Sequence, residues 1–122
     1  MWSGSALAVA RENATQLNTG KVLFFLGNWF EALPRDARYD LILSNPPYIA
    51  EQDAHLHQGD LPHEPRSALV SGPKGLNDIQ HLCAKAGRHL KSGGWLLLEH
   101  GFEQATDVRD LLGSAGFGEI RT

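Results

Sequence analysis

The sequence predicts an α/β domain with a mostly parallel sheet, and three observations support that class. Short apolar runs without polar alternation lie at 21–26, 40–44 and 95–99, a pattern typical of strands covered on both faces. Stretches with apolar residues at helical spacing separate or precede these runs. The predicted order from residue 3 onward is α-β-β-α-β-α-β, which is typical of helices packed on a parallel sheet.

Local signals set the bounds of each element. Ser3 is a candidate N-cap, and Asn18-Thr19-Gly20 is a stop signal after the first apolar stripe. Ser92-Gly93-Gly94 breaks the second helix, and Gly116 ends the third. The predicted elements are helix 3–17, strand 21–26, strand 40–44, helix 76–90, strand 95–99, helix 103–115 and strand 117–121.

Composition limits the function classes. The chain has 122 residues, a net charge of −3 and 42% hydrophobic residues, which suits one small domain. No apolar run approaches the length of a membrane span, and we expect no membrane association. The single cysteine, Cys83, lies on an apolar helix face, so we expect a buried thiol in a protein of the reducing cytoplasm. The mild acidity argues against a broad phosphate-binding surface and makes nucleic acid an unfavoured partner.

The stretch Tyr39 to Ile49 organises the chain. Its apolar run ends at Ser44 or Asn45, because Pro46-Pro47 cannot continue a sheet. Ligands of open α/β sheets bind at the carboxyl ends of the strands. We therefore expect a binding site at this strand end.

Asn45-Pro46-Pro47-Tyr48 has the chemistry to hold an amide or amino nitrogen. The Asn45 side chain and the Pro46 carbonyl are two neighbouring acceptors for a planar –NH₂ group. Tyr48 offers a flat face for packing against that group. A plain strand-ending turn is the alternative interpretation, although turn chemistry alone does not ask for an aromatic residue.

The long irregular stretch 50–75 follows this turn directly. Loops of that length in a compact domain are usually functional or mobile, so we predict a substrate-contacting lid. Its histidines allow a metal interpretation, since His55 and His57 lie near His63 with Asp60 or Glu64 close by. The spacing matches no zinc pattern strongly, and we predict no metal site.

Several stretches together carry a resemblance to a known family. They are Asn28-Trp29-Phe30, Asn45-Pro46-Pro47-Tyr48, Ile49 to Asp53, His63 to Leu69 and Leu96 to Gly101. This set resembles the HemK/PrmC family, whose members methylate a glutamine side-chain amide in peptide-chain release factors. The resemblance covers the C-terminal part of the family's catalytic domain.

The resemblance implies a partial Rossmann-like methyltransferase fold that uses S-adenosylmethionine. It implies Asn45, Pro46 and Tyr48 as catalytic residues, with Pro47 added to them in substrate binding. It implies Trp29, Asn28 and Asn45 as cofactor-binding residues. The implied partner is a release factor, and the implied location is the cytoplasm.

The chain departs from the family pattern in places. Asn28 stands where the family usually has Asp, and Met1 falls where an acidic residue would hold the cofactor ribose. The first two strands and the glycine-rich loop have no counterpart in residues 1–122, which we interpret as a truncated catalytic domain. We therefore expect weak or no cofactor binding by this chain alone, and self-association through exposed sheet edges.

Two other functions remain open at this point. An Asn-Pro-Pro-aromatic turn also suits the exocyclic amine of a nucleic-acid base. A chain without the glycine-rich loop also fits a non-enzymatic fragment or interaction module. Labelled-cofactor assays with a release factor or with nucleic acid separate these functions.

Overall fold

A computed structural model describes residues 3–122 and divides into two units, one up to Ala37 and one from Arg38 onward. The first unit contains helix α1 (Gly4–Gln16) and a 3₁₀ turn at Trp29–Ala32. Ser3 caps α1 as predicted, because its hydroxyl oxygen accepts a hydrogen bond from the N–H of Ala6. The position assigned to the family's acidic residue, Met1, lies outside the described residues.

The predicted strand 21–26 is wrong for the described structure. These residues belong to no strand, and Leu23 is 81% exposed. A strand covered on both faces needs a neighbour that bonds its N–H and C=O groups. The sheet described within residues 3–122 has only two strands, and neither of them pairs with this run.

The second unit is built on two parallel strands, β1 (Tyr39–Ser44) and β2 (Leu90–Leu98). A parallel sheet is thus confirmed, but β2 begins earlier than predicted. The pairing shifts between Tyr39↔Leu90 and Leu41↔Trp95, and Gly93 in the intervening segment has φ +77. Ser92-Gly93-Gly94 is therefore an irregularity within β2 and not the helix exit that we predicted.

Helices α2 (Asn77–Ala86) and α3 (Ala105–Ser114) supply the core of this unit. Ile79, Cys83 and Val108 form the buried cluster, and Leu98 of β2 packs against it. The burial of Cys83 confirms the prediction and raises the pKa of its thiol.

Both helices are shorter than predicted at their carboxyl ends. A 3₁₀ turn at Gly87–His89 follows α2, and Leu90 already belongs to β2. Ala115, the last residue of the predicted helix, lies outside α3 and is exposed, whereas Gly116 (φ +94) follows it as the expected stop.

Two further predictions for the second unit are wrong. The segment 117–121 forms no strand, and the guanidinium of Arg121 lies over the ring of Trp95 instead. The strands are also not covered on both faces, because alternate side chains of each are exposed. These are Leu41, Leu43, Trp95 and Leu97. None of the helices described between residues 3 and 122 has the length and apolar character that crossing a membrane requires.

Candidate functional site

The tetrapeptide Asn45-Pro46-Pro47-Tyr48 follows directly at the carboxyl end of β1. The last ladder contact joins the N–H of Glu99 to the carbonyl of Ser44 at 3.0 Å. Pro46 is buried and Asn45 is exposed, so the turn is anchored while the Asn45 residue is open to solvent. The predicted end of the strand at Ser44 is confirmed.

Asn45 borders a shallow concavity of about 370 Å³ at the ends of the two strands. Its lining combines apolar residues with a hydroxyl, an amide and a carboxylate. The lining residues are Leu43, Ser44, Asn45, Leu97, Leu98 and Glu99. Polar groups that can orient a small amide therefore lie beside an apolar surface.

The Tyr48 side chain is fixed by a hydrogen bond to the neighbouring strand end. Its hydroxyl donates to Oε1 of Glu99 at 2.7 Å, and its ring packs against the buried cluster. The hydrogen bond to Glu99 raises the pKa of Tyr48, with further contributions from burial and from the negative charge of Glu99. The phenol is therefore neutral at physiological pH, and its O–H donates the hydrogen bond to Glu99.

Tyr48 also borders a second cleft, of about 520 Å³, on the side of the lid. The lid contributes Asp53 and Leu61 to its wall, and the loop after β2 contributes His100 and Phe102. Because Tyr48 lines this cleft while its hydroxyl bonds Glu99 in the Asn45 concavity, this residue joins the two recesses.

The lid 50–75 returns to the tetrapeptide instead of extending away from it. The N–H of Ile49 donates to the carbonyl of Leu69 at 2.8 Å, and the N–H of Ser71 donates to the carbonyl of Ile49 at 2.9 Å. At the far end of the lid, a Cβ on Gly75 would lie 2.1 Å from the Tyr48 carbonyl oxygen. The C-terminal end of the lid, residues 69–75, thus lies against the tetrapeptide and Ile49.

The lid histidines do not assemble a metal site. In residues 3–122, no cluster of three or more histidine, cysteine or acidic side chains has the geometry to hold a metal ion. His55 instead contacts Asp53, with Nδ1 and Oδ1 2.6 Å apart. The backbone N–H of His55 lowers the pKa of Asp53, and the His55 ring adds to that effect.

Two residues of the site were not singled out from the sequence, Glu99 and Gln104. Glu99 bonds the Tyr48 hydroxyl, and Gln104 bonds the Tyr48 carbonyl at 2.9 Å. Glu99 had a usable signal, since a polar residue directly after a strand next to β1 must share an edge with the tetrapeptide. The sequence contains no such signal for Gln104, because its partners Tyr48 and Lys74 lie 56 and 30 residues away along the chain.

Asn28 and Trp29 belong to the first unit, and both are half-buried. Asn45, the third residue predicted to bind the cofactor, belongs to the second unit. Trp29 begins a 3₁₀ turn with φ +54, an uncommon conformation for a residue with a side chain. The cofactor role of these three residues stays a prediction.

The second unit is an α/β domain with the exposed Asn45 at a strand end, the position at which the resemblance to amino-methyltransferases implies a site. No family model matches the chain. Curated proteins named release factor glutamine methyltransferase match nearly all of the chain. One from Xylella fastidiosa is 52% identical to it, over a match that covers 98% of the chain and 43% of that protein. Those from Vibrio cholerae and Pseudomonas aeruginosa are 48% and 47% identical over 96% of the chain and 41% and 42% of their own lengths.

The chain spans about two fifths of the length of these curated relatives. It matches the C-terminal part of release factor glutamine methyltransferases, which confirms the resemblance to the HemK/PrmC family.

Proposed function

We propose that this chain supplies the amide-holding site of an S-adenosylmethionine-dependent methyltransferase. Its substrate is a glutamine side-chain amide in a peptide-chain release factor, and it acts in the cytoplasm. The observation that carries this proposal is the exposed Asn45 on a buried Pro46, at the end of β1 and beside Glu99. The names of the relatives, which match 96–98% of the chain, support the choice of substrate.

An amide nitrogen is a poor nucleophile because its lone pair is delocalised into the carbonyl group. Asn45 Oδ1 and the Pro46 carbonyl accept the two N–H bonds of the substrate and turn the nitrogen toward the incoming methyl group. This alignment supplies on the order of 7–11 kcal/mol of the barrier. The same acceptors stabilise the positive charge that develops on nitrogen, and one N–H proton then leaves to water.

The rest of the turn keeps these acceptors in place. Pro47 fixes the backbone after Pro46, since its ring locks φ. Tyr48 packs against the planar amide, and its bond to Glu99 limits the orientations of its ring. Pre-positioned acceptors need no rearrangement during the reaction.

S-adenosylmethionine, when bound, supplies an electrophilic methyl group on a sulfonium centre. The residues of the first unit that would hold it are Trp29 and Asn28. The chemistry of these residues fits the cofactor. Trp29 is half-buried, so its indole still has a surface on which an adenine ring can pack. The side-chain amide of Asn28 can donate a hydrogen bond to the adenine and accept one from it.

The test uses a chimaera in which this chain replaces the matching 120 residues of the full-length Xylella fastidiosa relative. The chimaera is incubated with methyl-labelled cofactor and either release factor or nucleic acid. We expect label in the release factor, on a glutamine side chain identified by mass spectrometry. Label in nucleic acid, or no label in either while the parent relative is active, contradicts the proposal.

A further inference from the structure

The side chain of Gln104 joins three backbone segments around the candidate site. Its Nε2 donates to the carbonyl of Tyr48 at 2.9 Å and to the carbonyl of Lys74 at 3.1 Å. Its Oε1 accepts from the N–H of Gly101 at 2.8 Å. A glutamine amide has two N–H donors, and both are used here.

Each of the three segments has a part in the site. Tyr48 ends the tetrapeptide, Lys74 lies near the end of the lid, and Gly101 lies in the loop between β2 and α3. Lys74 and Gly101 line the larger cleft together with Tyr48. A single side chain therefore bonds the backbone of three segments that line this cleft.

The contact between the lid and the tetrapeptide is close. Gly75, next to Lys74, has φ +75 and approaches the Tyr48 carbonyl so nearly that a Cβ there would lie 2.1 Å from the oxygen. Two carbonyls from different segments, those of Tyr48 and Lys74, point at the same Nε2. Carbonyl oxygens brought together in this way repel each other unless a donor lies between them, and Gln104 provides that donor.

We propose that Gln104 is a positioning residue for methyl transfer. It fixes the backbone of Tyr48 against the lid. Because Tyr48 belongs to the same tetrapeptide, this also fixes the orientation in which Asn45 and Pro46 meet the substrate amide. This inference rests on the proposed function and adds a residue that acts without touching the substrate.

Only an amide of this length satisfies all three contacts. Glutamate keeps an acceptor for the N–H of Gly101 but replaces the donor with a charge that repels both carbonyls. Methionine has a similar length and keeps neither function. The pair Gln104→Glu and Gln104→Met therefore separates the donor role from the acceptor role.

The test measures kcat and KM for methyl transfer in the chimaera. We expect both substitutions to lower kcat roughly 10- to 100-fold, because a displacement of about 1 Å at a reacting centre has that effect. The KM for S-adenosylmethionine should stay unchanged. The matched control is Gln80→Met on the exposed face of α2, which should leave both constants as they were.

Amide hydrogen exchange adds a readout that a loss of stability alone would not produce. Gly101 N–H should stay protected in Gln104→Glu and lose protection in Gln104→Met, while kcat falls in both. A folded variant of either kind with unchanged kcat overturns the inference and leaves the proposed function standing. Global unfolding of both variants also overturns it, because Gln104 would then be needed for stability. An inactive unsubstituted chimaera contradicts the proposed function, and the inference falls with it.

Discussion

The hydroxyl of Tyr48 donates to Oε1 of Glu99 across 2.7 Å and thereby joins the carboxyl ends of two adjacent parallel strands. This contact follows from the register, in which Ser44 lies opposite Leu98. Glu99 is the next residue after β2, and Tyr48 comes just after the rigid proline pair. The sheet therefore determines which acid meets the aromatic residue of the tetrapeptide.

The first prediction concerns the ionisation of Tyr48. Its pKa lies above the ordinary tyrosine value of about 10, chiefly because of the bond to Glu99. Glu99→Gln should lower the pKa of Tyr48 toward that value, measured by phenolate absorbance during alkaline titration. Tyr39 is the only other tyrosine of the sequence.

The sign of the accompanying change in stability follows from the neutral phenol being favoured in the folded state. The contribution of the protonated Tyr48 to the free energy of unfolding is fully present below a pH of about 10. It is lost as the pH rises through the raised pKa of Tyr48. Tyr48→Phe should remove this part of the loss of stability at alkaline pH. A Tyr48 titration unmoved by Glu99→Gln, with the exposed Glu103→Gln as control, would contradict the assignment.

The second prediction concerns the approach of the lid to the turn. Gly75→Ala introduces a Cβ into the Tyr48 carbonyl at φ +75, whereas Gly59→Ala has φ +56 and open space. Gly59→Ala should lower the free energy of unfolding by about 1–2 kcal/mol through its backbone conformation alone. Gly75→Ala should lower it by more, since backbone must also move. Urea unfolding of both variants checks this, and equal losses would mean that the close approach does not exist.

The third prediction concerns Ser71, which is 2% exposed. Its hydroxyl donates to Asp78 at 2.7 Å and accepts from the Asp78 N–H at 2.7 Å, so it caps the start of α2 from the end of the lid. Ser71→Ala should lower the free energy of unfolding by about 1–3 kcal/mol, because it leaves the part-buried N–H of Asp78 without this partner. Ser67→Ala, at an exposed position, is the control for urea unfolding. Equal midpoints for the two variants would exclude the cap.

The sequence predicted the tip of β1 well because its signals are local. Pro46-Pro47 ends a strand whatever the strand pairs with, and Ser44 is indeed the last residue of β1. The inward face of α2 was equally predictable from the sequence, because Ile79 and Cys83 are spaced one helical turn apart. Both residues are buried.

The remaining differences come from long-range pairing, which local patterns do not contain. Ser92-Gly93-Gly94 has the composition of a helix exit, yet it lies within β2 because Leu90 already pairs with Tyr39. The run 21–26 has the composition of a buried strand, but no strand described in residues 3–122 pairs with it. Gln104 was missed for the same reason, as its partners are distant in sequence.

Whether Asn45 holds the substrate amide is tested most directly by the kcat of the chimaera carrying Asn45→Ala. The loss of one acceptor should lower kcat on the order of 100-fold or more, measured at saturating S-adenosylmethionine so that a change in cofactor affinity does not enter the comparison. Asn13→Ala, at an exposed position of α1, is the matched control and should keep full activity. A kcat for Asn45→Ala equal to that of the control would contradict the role of Asn45 in methyl transfer.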